Sequence, residues 1–136
     1  MPYWRLFYHF VWGTKYGEPL IEGAFEYTLH RAIGAKVIEL DGIAHAVGGV
    51  ENHVHLVASV PPRIALSKFV GQIKGSTAHM VNHKIQPGYP FYWQDEYGVV
   101  SFGERHLTWV VNYALNQRER HRSGQTVSSM ERVSDV

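Results

Sequence analysis

Apolar residues repeat at two different spacings along this chain, and the order of the two spacings limits the possible folds. Over residues 3–12 every second residue is large and apolar, which predicts a strand with one face on the core. Over residues 22–40 the apolar residues lie three or four positions apart, which predicts an amphipathic helix. The chain therefore begins with a strand followed by a helix.

The same spacings predict the rest of the fold. The later elements are, in chain order, strands over residues 42–50 and 54–60, a helix over 63–85, a strand over 97–102 and a helix over 104–121. The order β-α-β-β-α-β plus one helix predicts an α+β, ferredoxin-like fold, in which two helices cross one face of a four-stranded antiparallel sheet. The other face is then free for a ligand, and the additional C-terminal helix carries the residues discussed below.

The composition favours one domain with an ordinary core, because 45% of the 136 residues are hydrophobic and 18% are charged. We assign residues 1–122 to this domain and residues 123–136 to a polar C-terminal tail that is frayed or orders only on a partner. The chain has no cysteine, so a metal would need histidine, carboxylate or amide ligands. No signal-like or membrane-length apolar segment is evident, and we expect a soluble, cytoplasmic protein with no membrane partner.

The net charge of +1 does not by itself indicate nucleic-acid binding, but the basic residues are unevenly distributed. They cluster in residues 61–86, which contain no acid, and again in residues 118–122. Six of them are candidate contacts to DNA phosphates: Arg63, Lys68, Lys74, Arg118, Arg120 and Arg122. The alternative is that they form solvated helix faces, which give the same sequence pattern.

Two histidines, His53 and His55, flank Val54 at the start of a predicted strand. Successive side chains of a strand point to opposite faces, so both imidazoles project from one face while Val54 and Leu56 point to the core. Neighbouring imidazoles form half of a site for a divalent metal. The residues alone leave open that these are ordinary polar side chains on an exposed strand.

Tyr113 and Gln117 are neighbours on one face of the predicted final helix, because residues four positions apart stack there. A phenol beside an amide oxygen, opposite two imidazoles, would combine a nucleophile with a third metal ligand. Without further context, Tyr113 could instead be a packing residue and Gln117 a solvent-facing amide.

Four segments resemble, in order and spacing, the single-tyrosine HUH transposases of bacterial insertion sequences, called TnpA, and their REP-associated relatives. The segments are Tyr8-His9-Phe10-Val11-Trp12-Gly13-Thr14-Lys15-Tyr16 followed by Pro19-Leu20, Val50-Glu51-Asn52-His53-Val54-His55-Leu56-Val57, Trp93-Gln94-Asp95-Glu96-Tyr97-Gly98, and Tyr113-Ala114-Leu115-Asn116-Gln117. The resemblance implies that His53 and His55 are metal ligands, that Gln117 is an additional ligand, and that Tyr113 is the nucleophile.

The resemblance also implies a transposase that cleaves and rejoins single-stranded DNA at insertion-sequence ends. It implies a 5′-phosphotyrosine intermediate, a divalent metal (Mg²⁺ or Mn²⁺), DNA with hairpins at the element ends, and a homodimer whose active sites are shared between subunits. Two alternatives are a non-catalytic, hairpin-binding regulator derived from a transposase, and a metal-dependent nuclease that uses water in place of Tyr113.

Four other residues lie in or near these motifs. We interpret His9 as part of a hydrogen-bond network, although it could touch substrate. Tyr97 is a rival nucleophile, but it lacks a ligand partner four positions away, and we interpret it as structural. Tyr92 and Trp93 could stack on unpaired bases or serve in the core.

Overall fold

A four-stranded antiparallel sheet is the centre of the structure, a computed structural model that describes residues 2–134. Its strands are β1 (Phe7–Gly13), β2 (Ile43–Val50), β3 (His53–Ser59) and β4 (Gly98–Phe102). They lie in the order β2-β3-β1-β4, and every neighbouring pair is antiparallel. This strand order is that of the ferredoxin-like fold, so the predicted α+β class is confirmed.

Two long helices cover one face of the sheet, which we call the helical face. They are α1 (Gly23–Glu39) and α2 (Leu66–Met80), and α2 continues into a wider turn over Val81–Ile85. Each contributes an apolar stripe to the core between helix and sheet. The buried members of this core include Phe10, Trp12, Leu29, Ile33, Val54, Leu56, Phe69 and Ile73.

Three short helices cover the opposite face, which we call the site face: α3 (Leu107–Leu115), α4 (Gln117–Ser123) and α5 (Ser128–Glu131). A second, smaller apolar cluster joins α3 and α5 to the sheet, with Val57, Val110, Ala114 and Met130 among its buried members. The expectation that this face is open is therefore wrong. Both faces of β1 are covered, so its alternate side chains that point to the site face are buried too. His9, one of these, is only 1% exposed.

Glycine allows the C-terminal part of the chain to approach the sheet closely. A Cβ atom on Gly48 of β2 would lie 1.8 Å from the carbonyl oxygen of Ala114 in α3. A Cβ atom on Gly98 of β4 would lie 1.9 Å from the carbonyl oxygen of Arg132, just after α5. At these two positions only glycine leaves room for the backbone above it.

Two expectations about the C-terminal part need correction. The helix predicted over residues 104–121 is interrupted at Asn116, whose ψ of 33° lies outside the helical range, and its first turn, Glu104–His106, is a 3-10 helix. The tail is not frayed where the structure describes it, because Met130 of α5 is buried against the site face. The boundary at residue 122 stays a prediction.

Within residues 2–134, no helix combines the length and apolar character needed to span a membrane.

Candidate active site

His53 and His55 lie side by side on the site face, with ring centroids 5.1 Å apart. Their separation by one residue on β3 puts both on this face, while Val54 and Leu56 join the core of the helical face. Because β3 is an interior strand, His55 is fully buried and His53 largely so. The predicted pairing of the two imidazoles is thus present in the fold.

A hydrogen bond on the Nδ1 atom orients each imidazole. His53 Nδ1 lies 2.8 Å from Asn52 Oδ1, and because an amide oxygen only accepts, Nδ1 carries the proton and the lone pair is on Nε2. His55 Nδ1 lies 2.7 Å from His9 Nε2. Such partners behind a metal-binding imidazole fix its ring and tautomer. His9 therefore belongs to the network behind His55, which agrees with its structural interpretation.

Burial keeps the imidazoles of His53 and His9 neutral. Desolvation, followed by the neighbouring His55, lowers the pKa of His53 to about 4. The same two causes lower the pKa of His9 to about 3. A neutral imidazole has the free lone pair that a metal requires, so the fold holds His53 in the form that binds cations.

Tyr113 and Gln117 stand over the histidine pair, although the helix is interrupted between them. Gln117 Nε2 donates to the carbonyl oxygen of Tyr113 at 3.0 Å, which turns Gln117 Oε1 toward His53 Nε2 at 3.4 Å. The ring centroids of Tyr113 and His55 are 5.8 Å apart. The four side chains that the sequence singled out therefore meet in one place within a single chain.

His121 and Glu131 also belong to this cluster, and the sequence analysis missed both. His121 Nε2 lies 3.0 Å from Gln117 Oε1. Glu131 Oε1 lies 3.2 Å from His55 Nε2 and within 3.5 Å of the Nε2 atoms of His53 and His121. The four positions from Gln117 to His121, one helical turn, could have identified His121. Glu131 gives no such signal, because it follows a polar stretch without periodicity.

The carboxylate of Glu131 connects the histidines to the phenol. Its Oε2 accepts a hydrogen bond from the Tyr113 hydroxyl, and the backbone N–H of Val127 donates to the phenol oxygen at 2.8 Å. Burial, and then the bond to Glu131, raise the pKa of Tyr113 to about 12. Burial also raises the pKa of Glu131, but bonds to His55 and Tyr113 outweigh it and lower the pKa to about 2. The phenol is thus neutral and the carboxylate charged.

The cluster has the composition and spacing of a metal site. One donor atom from each of His53, His55, His121 and Glu131 can be chosen so that all lie within 4.8 Å of one another. Imidazole, carboxylate and amide groups are suitable ligands for first-row divalent ions. The residues present therefore fit a divalent cation.

An arginine and a tryptophan flank the ring of Tyr113. The guanidinium of Arg120 lies 4.6 Å from its centroid, and the Trp109 ring stacks at 5.5 Å with 28° between planes. Arg120 also lies over Trp109, at 5.4 Å. A fixed cation therefore lies beside the phenol.

The six predicted DNA contacts fall on different sides of the molecule. Arg118, Arg120 and Arg122 belong to α4 beside the cluster, whereas Lys68 and Lys74 belong to α2 on the helical face. Several already have partners: Arg63 binds Asp41, Arg118 binds Glu26 and Glu51, Arg122 binds Glu119, and Lys74 Nζ donates to the carbonyl oxygens of Gln94 and Glu96. Their contact with DNA stays a prediction.

Tyr97, the rival nucleophile, packs against the core of the helical face rather than against the histidine cluster. It precedes β4, on the far side of the sheet from Tyr113. This position agrees with the structural interpretation.

Comparisons with known proteins agree with this fold. The family described as "Transposase IS200 like" matches residues 2–117. The transposases for insertion sequence element IS200 of Salmonella typhimurium strain LT2 and Salmonella typhi are each 23% identical over 141 aligned positions, which cover 92% of this chain and 85% of theirs. The chain therefore belongs to the IS200-like transposase family, as the resemblance indicated.

Two solved structures share the fold. One is a protein of Deinococcus radiodurans R1 that is provisionally assigned as a transposase, with a TM-score of 0.67, 19% identity, and coverage of 94% of this chain and 97% of that one. The other is a REP-associated tyrosine transposase bound to a REP hairpin, with a TM-score of 0.64, 15% identity, and coverage of 93% and 76%. At these identities the likeness establishes the fold.

Proposed function

We propose that this transposase is a metal-dependent, single-tyrosine strand transferase of the HUH type, which cleaves and rejoins single-stranded DNA at insertion-sequence ends. The observation that carries the proposal is the meeting of His53, His55, Gln117 and Tyr113 on one covered face of the sheet. Their roles are metal binding for the first three and nucleophilic attack for Tyr113. The protein would act in the cytoplasm on DNA ends that form hairpins.

His53 and His55 would hold the cation through their Nε2 atoms, with Gln117, His121 and Glu131 as the remaining candidate ligands. A divalent ion bound there supplies charge neutralisation at a phosphate oxygen and orients the phosphorus. Mg²⁺ prefers oxygen ligands, so the imidazoles favour Mn²⁺ as the first ion to test.

Tyr113 would attack the phosphorus through its phenol oxygen. The new bond joins that oxygen to phosphorus, the bond from phosphorus to the 3′ oxygen breaks, and the proton lost by the phenol is balanced by the one that the 3′-hydroxyl gains. The resulting 5′-phosphotyrosine retains the bond energy, so another 3′-hydroxyl can reverse the step and rejoin strands.

DNA would reach this site along α4. Arg120 is next to the Tyr113 ring, and Arg118 is on the same helix. The hairpin bound by the REP-associated neighbour supports a hairpin-containing substrate. Arg63, Lys68 and Lys74 are farther from the site and would contact only an extended substrate.

The test is incubation of the protein with a hairpin-containing single strand and Mn²⁺, followed by a denaturing gel. We expect a protein-linked DNA band that Tyr113→Phe abolishes while DNA binding changes little, because the phenylalanine ring keeps the packing but has no oxygen. Cleavage that persists in Tyr113→Phe without a linked band would instead establish hydrolysis by water. The absence of both products in the unaltered protein would favour a non-catalytic hairpin-binding regulator.

The proposed homodimer with shared active sites needs a separate test, because His55 and Tyr113 meet here within one chain. Sharing would require α3 to be exchanged between two copies. Co-expressed His55→Ala and Tyr113→Phe chains should then regain the DNA-linked band, since one of the two composite sites is intact. Failure of the mixed protein, once shown to be dimeric, would assign each site to one chain.

A further inference from the structure

Two exposed tyrosines with a lysine between them lie in loops that flank the sheet. Tyr16 is 84% exposed and Tyr92 is 54% exposed. Lys15 Nζ lies 5.4 Å from the centroid of each ring. We call these three residues the aromatic platform. It combines a positive charge with two aromatic surfaces that are accessible to solvent.

The backbone holds the aromatic platform in place at some cost. Tyr16 has a φ of 60°, in the left-handed region that a bulky side chain rarely adopts. Lys15 donates its backbone N–H to the carbonyl oxygen of Tyr92 at 2.9 Å, which fastens the two loops together. Such strain persists only where surrounding contacts impose it, and it is concentrated at functional sites.

One asparagine connects the aromatic platform to His53. Asn52 Nδ2 donates to the carbonyl oxygen of Gly17 at 3.4 Å, next to Tyr16, and Asn52 Oδ1 accepts from His53 Nδ1. The backbone N–H of Thr14 also donates to the carbonyl oxygen of Asn52 at 2.9 Å. The aromatic platform is therefore adjacent to the candidate active site and is coupled to the orientation of His53.

We propose that the aromatic platform binds unpaired nucleotides of the DNA strand that enters the active site. Bases stack on Tyr16 and Tyr92, and Lys15 pairs with a phosphate between them. Stacking on aromatic rings tolerates any base, and a lysine neutralises backbone charge without reading sequence. Paired bases offer no free face, so the aromatic platform selects single strands over duplex. This proposal rests on the proposed function, because it describes how the single-stranded DNA substrate of that reaction is bound.

The test compares the unaltered protein with its variants in their affinity for a fluorescent oligothymidylate of about 12 nucleotides. The affinity is measured by fluorescence anisotropy in EDTA, so that cleavage does not contribute. The double variant Tyr16→Asn/Tyr92→Leu removes both rings, and asparagine tolerates the left-handed backbone. We expect a loss of affinity of at least about tenfold, since each stacked base contributes roughly that much. Tyr16→Phe/Tyr92→Phe keeps both rings and should bind within about twofold of the unaltered protein.

A matched control comes from α1, where Tyr27 is 72% exposed and the guanidinium of Arg31 lies 5.7 Å from its ring. Tyr27→Leu should leave the affinity unchanged. A 5-iododeoxyuridine strand should crosslink to the peptides that contain Tyr16 or Tyr92. An unchanged affinity of the double variant, the same loss on duplex DNA, or the same loss in Tyr27→Leu would overturn the proposal.

The two proposals fail separately. Binding in EDTA reports on the aromatic platform alone, whereas the DNA-linked band with Mn²⁺ reports on Tyr113. If the linked band is absent but the double variant loses single-strand affinity, strand transfer is wrong and the binding site remains. If the band forms at saturating DNA and the affinity is unchanged, the aromatic platform is wrong and strand transfer remains.

Discussion

The two faces of the sheet are both buried, but they are buried in different ways. The helical face is filled almost entirely by apolar side chains from α1, α2 and the strands. The site face buries His9, His55 and Gln117 beside Tyr113. Burying polar groups is unfavourable unless they bond, and here they bond mainly to one another.

This difference teaches which residues support the fold and which support the chemistry. On β3, Val54 and Leu56 point to the helical face and support the fold, whereas His53 and His55 point to the site face and support the proposed chemistry. A substitution on the helical face should change the free energy of unfolding and leave metal binding intact. A substitution of His53 or His55 on the site face should instead abolish or weaken metal binding.

The largest expected effect comes from His55→Ala. It removes a fully buried candidate ligand, so Mn²⁺ should no longer raise the melting temperature, and the DNA-linked band should fall more than about 100-fold. Calorimetry with and without Mn²⁺ measures the first effect, and the denaturing gel measures the second.

The matched variant on the helical face is Ile73→Ala, also at a fully buried position. It should lower the free energy of unfolding by about 2–5 kcal/mol because of the cavity that it leaves. Mn²⁺ should still raise the melting temperature of this variant by the same amount as in the unaltered protein. If Mn²⁺ still stabilised His55→Ala, or failed to stabilise folded Ile73→Ala, the division between the faces would be wrong.

An intermediate effect is expected where α3 meets β2. Gly48→Ala adds a Cβ atom that collides with the Ala114 carbonyl oxygen, so it should lower the free energy of unfolding by about 1–3 kcal/mol and displace Tyr113. Gly71→Ala in α2 adds a Cβ atom with no neighbour within 4 Å and should raise stability by up to about 1 kcal/mol. Urea unfolding compares the two. Equal stability changes would mean that α3 is not held against the sheet.

The sequence predicts those parts of the molecule that depend on local periodicity. Apolar spacing identified the four strands and both long helices, and the alternation on β3 predicted that His53 and His55 share a face. The four-residue interval between Tyr113 and Gln117 predicted their contact even though the helix is interrupted at Asn116. Each of these depends on residues that are close in the chain.

Residues far apart in the chain could not be assigned in the same way. Glu131 reaches the histidines only because α5 folds back over the site face, where Met130 anchors it and Gly98 leaves room for the backbone that follows. Nothing in the polar residues before Glu131 indicates that packing. The coverage of the site face was missed for the same reason, since α3, α4 and α5 are short and their docking depends on tertiary contacts.

The smallest effect should separate two arginines of the same helix. Arg120 lies over the Tyr113 ring, whereas Arg122 pairs with Glu119 and its side chain is 78% exposed. Arg120→Gln should weaken single-strand binding several-fold and reduce the slope of log affinity against log salt by about 0.7, the contribution of one phosphate contact. Arg122→Gln should change the affinity by less than about twofold and leave the slope nearly unchanged, because an exposed ion pair contributes little. Anisotropy titrations at several salt concentrations measure both quantities. An equal effect of the two variants would mean that DNA contacts more than one side of α4 and not only the side next to the phenol.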